Sequence, residues 1–134
     1  MESFEKRIVV AQEDLDDLNH VNNVRYVQWI QDISKEHWQT VAPNELKAGI
    51  LWVVKNHNID YVSAAVLGDE ILIKTYISET KGAISVRRVE MYNDKTNQLL
   101  VRSHTEWVLL NAFTLKPIRI SEAIKKVFVR KYSK

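Results

Sequence analysis

The sequence predicts an α+β domain in which one long helix lies across a curved antiparallel sheet. Three observations lead there. One strongly amphipathic helical pattern occupies residues 23–41. From Ile50 onward, apolar and alternating segments follow one another through turn signals. No internal repeat, low-complexity run or linker divides the 134 residues, so residues 1–134 are expected to form a single domain with a sizeable core.

Taken in order, Phe4 to Gln12 contains Ile8-Val9-Val10-Ala11 after a charged start and reads as a first strand. A polar loop then runs to about Asn22. Asn22 or Asn23 suits a helix N-cap, because an asparagine oxygen accepts from a free first-turn amide. Tyr26, Trp29, Ile30, Ile33 and His37 recur at spacings of three and four, one face of a helix. Pro43 disfavours helical geometry at Ala42, which stops the helix near Thr40 or Val41. Ile50 to Val54 is an apolar β-branched run, and Asn58 to Val62 continues it with alternation. Leu67-Gly68-Asp69 is a turn. Glu70 to Thr80 follows as a strand with Ile71, Ile73 and Thr75 on one face, and Lys81-Gly82 has tight-hairpin character. Ala83 to Tyr92 is the next strand, with a polar hairpin loop from Asn93 to Asn97. Gln98 to Asn111 is the last and longest strand, with Leu99, Val101, Ser103, Thr105, Trp107 and Leu109 facing inward. Ser121 can cap a short final helix through Arg130. This order leaves a sheet edge uncovered, and self-association would hide it. A homodimer or homotetramer is therefore expected.

Composition narrows the functions. A hydrophobic fraction of 46% and a charged fraction of 27% are those of a soluble globular protein. With no cysteine, disulfides, thiolate nucleophiles and thiolate metal sites are excluded, which suits a reducing cytoplasm. Met1 to Arg7 has no apolar signal-peptide core, and no run approaches the ~18 apolar residues of a membrane span. The net charge of +2 is uneven: seven basic residues and one acidic residue lie between Leu115 and Lys134, leaving the rest net negative. That basic end can attract a phosphorylated ligand or simply be a solvated helix face. It lacks the interleaved aromatics of a nucleic-acid surface.

The chemistry-bearing stretch is Asp14-Leu15-Asp16-Asp17-Leu18-Asn19-His20-Val21-Asn22-Asn23-Val24-Arg25-Tyr26. A carboxylate among Asp14, Asp16 and Asp17 can serve as general base on water or as nucleophile on a carbonyl. The loop lacks the glycine and terminal glutamate of a calcium loop. His20 has no zinc-ligand spacing with His37, His57 or His104, so no metal or cofactor is expected. The helix start at Asn22 to Val24 offers free N–H groups and a positive dipole end to an oxyanion. Base and oxyanion donor side by side are what acyl transfer requires.

The same stretch resembles the D-x-D-x-x-[GN]-H-V-N-N-x-x-Y motif of hotdog-fold thioesterases, in the 4-hydroxybenzoyl-CoA thioesterase-like branch. His20 to Tyr26 with Trp29-Ile30 is also similar to plant-type acyl-ACP thioesterases. A weaker resemblance lies in Asp60 to Asp69, where Ala64 stands in place of the family's usual proline. The resemblance implies a hotdog fold, a curved antiparallel sheet wrapped around one long central helix, with active sites at a dimer interface. It implies that Asp16 is the catalytic carboxylate, that the Asn23 amide binds the thioester oxygen, and that Asp17 faces solvent. His20 then orients water or supports Asp16, and Asn22 and Tyr26 match motif positions whose roles vary. Leu18 replaces the catalytic asparagine of the plant-type enzymes, and those enzymes carry two hotdog units.

The expected activity is hydrolysis of an acyl thioester carried by coenzyme A or acyl carrier protein. The acyl chain is expected near Tyr26, Trp29, Ile30 and Trp52. Lys81, Arg87, Arg88, Lys116 and Arg119 are candidate partners for coenzyme A phosphates. The rival from another class is a non-catalytic acyl-thioester binding module. A hotdog hydratase would want a different His/Asp pairing on the helix.

Overall fold

Period-two patterning in four of the five strands sets the architecture. A computed structural model describes residues 3–129. Strands β1 (Phe4–Val9), β2 (Ile50–Tyr61), β3 (Glu70–Lys81), β4 (Ile84–Asn93) and β5 (Leu99–Asn111) form one antiparallel sheet in the order β1-β3-β4-β5-β2. Helix α1 (Asn23–Val41) packs on its inner face, one turn α2 (Asn44–Lys47) follows, and α3 (Glu122–Val129) closes the far end. The single α1 laid over a five-stranded sheet is the arrangement the sequence predicts. No described helix is long and apolar enough to cross a membrane.

Helix α1 starts and stops where its sequence says. Asn22 caps it, its Oδ1 accepting from the Val24 N–H at 3.0 Å, and Ala42 before Pro43 leaves helical geometry at ψ 128°. Its apolar stripe is buried throughout: Tyr26, Trp29, Ile30 and Ile33 join Ile71, Ile73, Val89, Met91 and Val101 in one core cluster. A second cluster, built on Trp38, Leu109, Ile124 and Val127, fills the other end.

Boundaries differ from the expectation where local bonds compete with the ladder. The first strand stops at Val9 rather than Gln12. Val10 turns away to bond Asp69 and Gly68, and Gln12–Asp14 coil into a 3₁₀ turn. The two β segments after Ile50 are one strand with a bulge at Lys55, between Val54 and Asn56. In β5 it is Leu100, not Leu99, that enters the core, because the β4–β5 pairing steps from Met91↔Val101 to Tyr92↔Leu99. Ser121 caps α3 through the Ile124 N–H. The expected end at Arg130 lies outside the described residues, and α2 was not expected.

On the outer face one row of cross-strand neighbours alternates in charge over all five strands: Glu5, Lys74, Glu90, Arg102 and Asp60. On the inner face Arg87 is only 3% exposed. Its Nη1 donates to His37 Nδ1 and to Thr75 Oγ1, each at 2.9 Å, and its guanidinium lies 5.4 Å from the Phe128 ring centre.

Burial first, and the Arg87 charge second, hold His37 well below the ordinary 6.5, at about 3. Between those values the unfolded chain takes up a proton that the folded chain refuses. Stability is therefore full above about pH 6.5 and falls with decreasing pH by up to ~1.4 kcal/mol per unit. Chemical denaturation between about pH 6.5 and 5, before most carboxylates titrate, is expected to show this slope. His37→Gln, which keeps an acceptor for Arg87 but cannot take the proton, should make it shallower, leaving the part due to His57, which burial also holds below its ordinary value.

Candidate active site

Below β1 the loop is organised by Asp14, which is 4% exposed. Its Oδ2 accepts from the Ala11 N–H at 2.8 Å and its Oδ1 from Arg25 Nε at 2.6 Å. The carboxylate thus ties the 3₁₀ turn to the first turn of α1. Backbone bonds close the rest: Asn22 N–H to Asp14 O at 2.9 Å and Asp16 N–H to His20 O at 2.8 Å, with Leu15 facing Val21. Asn19 sits at φ 61°, a left-handed conformation that asparagine tolerates better than most residues.

Asp14→Ala removes two charge-assisted bonds from a buried group. Because Arg25 keeps a side chain 43% exposed and can rehydrate, the cost should be about 2–3 kcal/mol. Urea denaturation checks it.

Asp16 is half-buried. Its Oδ1 accepts from the backbone N–H groups of Leu18 (2.9 Å) and His20 (3.2 Å), while Oδ2 has no hydrogen-bond partner among the described residues. Asp17 and His20 are exposed. At the helix start the Val24 amide is taken by the Asn22 cap and the Arg25 amide by Asn22 O. The exposed Asn23 is left with a backbone N–H that has no acceptor among the described residues. A carboxylate oxygen and a free donor at the positive end of a 19-residue helix therefore belong to one braced loop, the pairing that can activate water and hold an oxyanion.

Asp16 is bonded to His20 and Asn22 to Asp14, so these residues share the loop that leads into Asn23. Of the residues expected near the acyl chain, Tyr26, Trp29 and Ile30 share one core cluster, and Trp52 packs in the other. Tyr26 is 2% exposed, and its hydroxyl accepts from the Ala65 N–H at 3.2 Å, pinning α1 to the segment before β3. Trp29 packs edge-on against Tyr26 beneath Arg25. Ile30 is fully buried. Trp52 belongs to the second cluster, edge-on to Trp38 at 5.7 Å, and lines a cavity of about 290 Å³ beside the C-terminal half of α1. Arg87, one of the candidate partners for coenzyme A phosphates, is buried and lines the same cavity. Arg88, the next residue, is exposed on the opposite face. Among the described residues no His, Asp or Glu cluster could hold a metal ion.

The bracing role of Asp14 was hidden because its partner, Arg25, lies eleven residues away. The inward Arg87 did leave a signal: it shares the phase of Ser85, Val89 and Met91 along β4.

The family model of the acyl-ACP thioesterase N-terminal domain matches residues 1–128. No curated protein sequence matches the chain significantly. Among solved structures, a probable thioesterase from Escherichia coli superposes with a TM-score of 0.81 at 22% identity, covering 94% of this chain and 98% of that one. A 1,4-dihydroxy-2-naphthoyl-CoA thioesterase from Synechocystis gives 0.83 at 18% identity, covering 95% and 96%. A 12:0-ACP thioesterase from Umbellularia californica gives 0.83 at 15% identity, covering 97% of this chain and 52% of its own. At these identities the likeness to each is one of fold.

Proposed function

Because this chain belongs to the acyl-ACP thioesterase N-terminal domain family and is a thioester hydrolase of the hotdog fold, we propose that Asp16 and the Asn23 amide cleave an acyl group from coenzyme A or acyl carrier protein. Asp16 Oδ2 takes a proton from water as the water oxygen attacks the thioester carbonyl. The oxyanion that forms rests on the Asn23 N–H. Collapse breaks the C–S bond, and the proton passes to the departing thiolate, giving a carboxylic acid and a thiol. Direct attack by Asp16, followed by hydrolysis of the resulting anhydride, uses the same two groups. Exposed His20 stands beside this step and orients the water.

The observation that carries this reading is the division of labour at Asp16, one oxygen held by two amides and the other unbonded, on the loop that ends at the free Asn23 N–H. Either carrier suits the reading, since the fold relatives include both a CoA-ester and an ACP-ester thioesterase. Both occur in the cytoplasm, a reducing compartment that a cysteine-free chain suits.

We place the working site at a homodimer interface. β2 is an edge strand of 12 residues, and Leu51, Val53 and Tyr61 on it are 43%, 39% and 44% exposed. Two-fold antiparallel pairing of β2 with its copy covers that edge. It also runs the Ile50 end of one strand along the Tyr61 end of the other, and the Tyr61 ring lies 6.0 Å from that of Tyr26. The cavity of one protomer thereby approaches the catalytic loop of its partner.

Thiol release from a panel of aliphatic and aromatic acyl-CoAs and acyl-ACPs tests the proposal, and the protein adds no thiol background. At least one thioester is expected to turn over. Tight binding without turnover would instead support a non-catalytic binding module.

A further inference from the structure

The cavity lined by Trp52 and Arg87 has a chemistry that hydrolysis alone does not explain. Among the described residues its wall carries three cations, Arg87, Lys35 and Lys47, and no carboxylate. No described Asp or Glu lies within ion-pair distance of Arg87. The groups that touch its guanidinium are all neutral: the His37 ring, the Thr75 hydroxyl and the Phe128 face. Burial brings the Arg87 guanidinium down to about 9, so it stays charged at neutral pH. A charge taken out of water without a counter-charge is strongly unfavourable.

We infer that this cavity is a binding site for an organic carboxylate, an apolar body held among the aromatic side chains with its carboxylate oxygens on Arg87. A guanidinium offers parallel donors that match a carboxylate's two oxygens. Trp38 and Phe128 provide apolar surface, and a volume of about 290 Å³ sits at the small end of ligand pockets. This favours a single ring or a short chain.

Two sources supply that chemistry: a carboxylate at the far end of the acyl group, or the free acid that hydrolysis releases. Both rest on the proposed thioesterase reaction, whereas the site itself does not. The first arm of the test therefore avoids catalysis. Titration by tryptophan fluorescence is expected to show 4-phenylbutyrate binding at least tenfold more tightly than 4-phenylbutanol, with Arg87→Met erasing the difference while the alcohol still binds. Equal affinity of acid and alcohol for the unaltered protein overturns the inference, and that comparison needs no variant to fold. The second arm separates the sources. A kcat/KM for adipoyl-CoA at least tenfold above that for hexanoyl-CoA, lost in Arg87→Met, assigns the site to the acyl group. Equal turnover with competitive inhibition by 4-phenylbutyrate assigns it to the released acid. If no thioester turns over, the hydrolase mechanism fails, and the first arm still decides the cavity.

Discussion

Asp16→Asn is expected to lower kcat/KM by a factor of ~10²–10³ or more while leaving the fold in place. The asparagine keeps an oxygen where Oδ1 now accepts from Leu18 and His20, so the turn retains its closure. What it loses is the basic oxygen at Oδ2. Steady-state hydrolysis and a thermal melt, read together, check this. An unchanged melting temperature with kcat/KM lowered by that factor is the expected pair, and undiminished hydrolysis removes Asp16 from the mechanism. Asp14→Ala is the contrasting case, since there stability itself falls.

Asn23→Pro should cost a comparable ~10²–10³ in kcat by deleting one backbone donor. Proline usually breaks a helix, but Asn23 is its first residue, where the missing N–H breaks no intrahelical bond. The preceding residue must be extended for proline to follow, and Asn22 already is, at φ −64° and ψ 136°. The substitution therefore removes the free amide with little strain, and circular dichroism should report unchanged helix content. Asn23→Ala keeps the amide and is expected to keep most of the activity. If Ala and Pro behave alike, the backbone N–H of Asn23 holds no oxyanion.

The sequence was legible wherever one strong local signal dominated. The α1 stripe from Tyr26 to His37, its cap at Asn22 and its stop before Pro43 needed nothing beyond spacing and backbone chemistry. So did the alternation of Ile71, Ile73 and Thr75. It was less legible where two local options compete within a residue or two. Val10 bonds across to Asp69 instead of extending β1, and a bulge exchanges Leu99 for Leu100. Within the loop, the motif includes Asp14 as its first acidic position but gives no hint of its bracing role, which comes from contact with Ala11 and Arg25. Of the residues expected near the acyl chain, Trp52 is the one apart, because β2 carries it to Trp38 in the C-terminal half of α1 while Trp29 packs near the helix start.

The alternating charges on the outer face also act against wrong structures. A slip of one residue between neighbouring strands would turn their outer-face charges toward the apolar core, at prohibitive cost. A slip of two keeps the correct faces and is the more dangerous error. In one direction it would set Arg88 opposite Arg102 at the β4–β5 seam and Lys74 opposite Arg88 at the β3–β4 seam, cation against cation. The row from Glu5 to Asp60 thus adds little to the native state as surface ion pairing. It weighs instead on the slipped sheets that this sequence must avoid while folding.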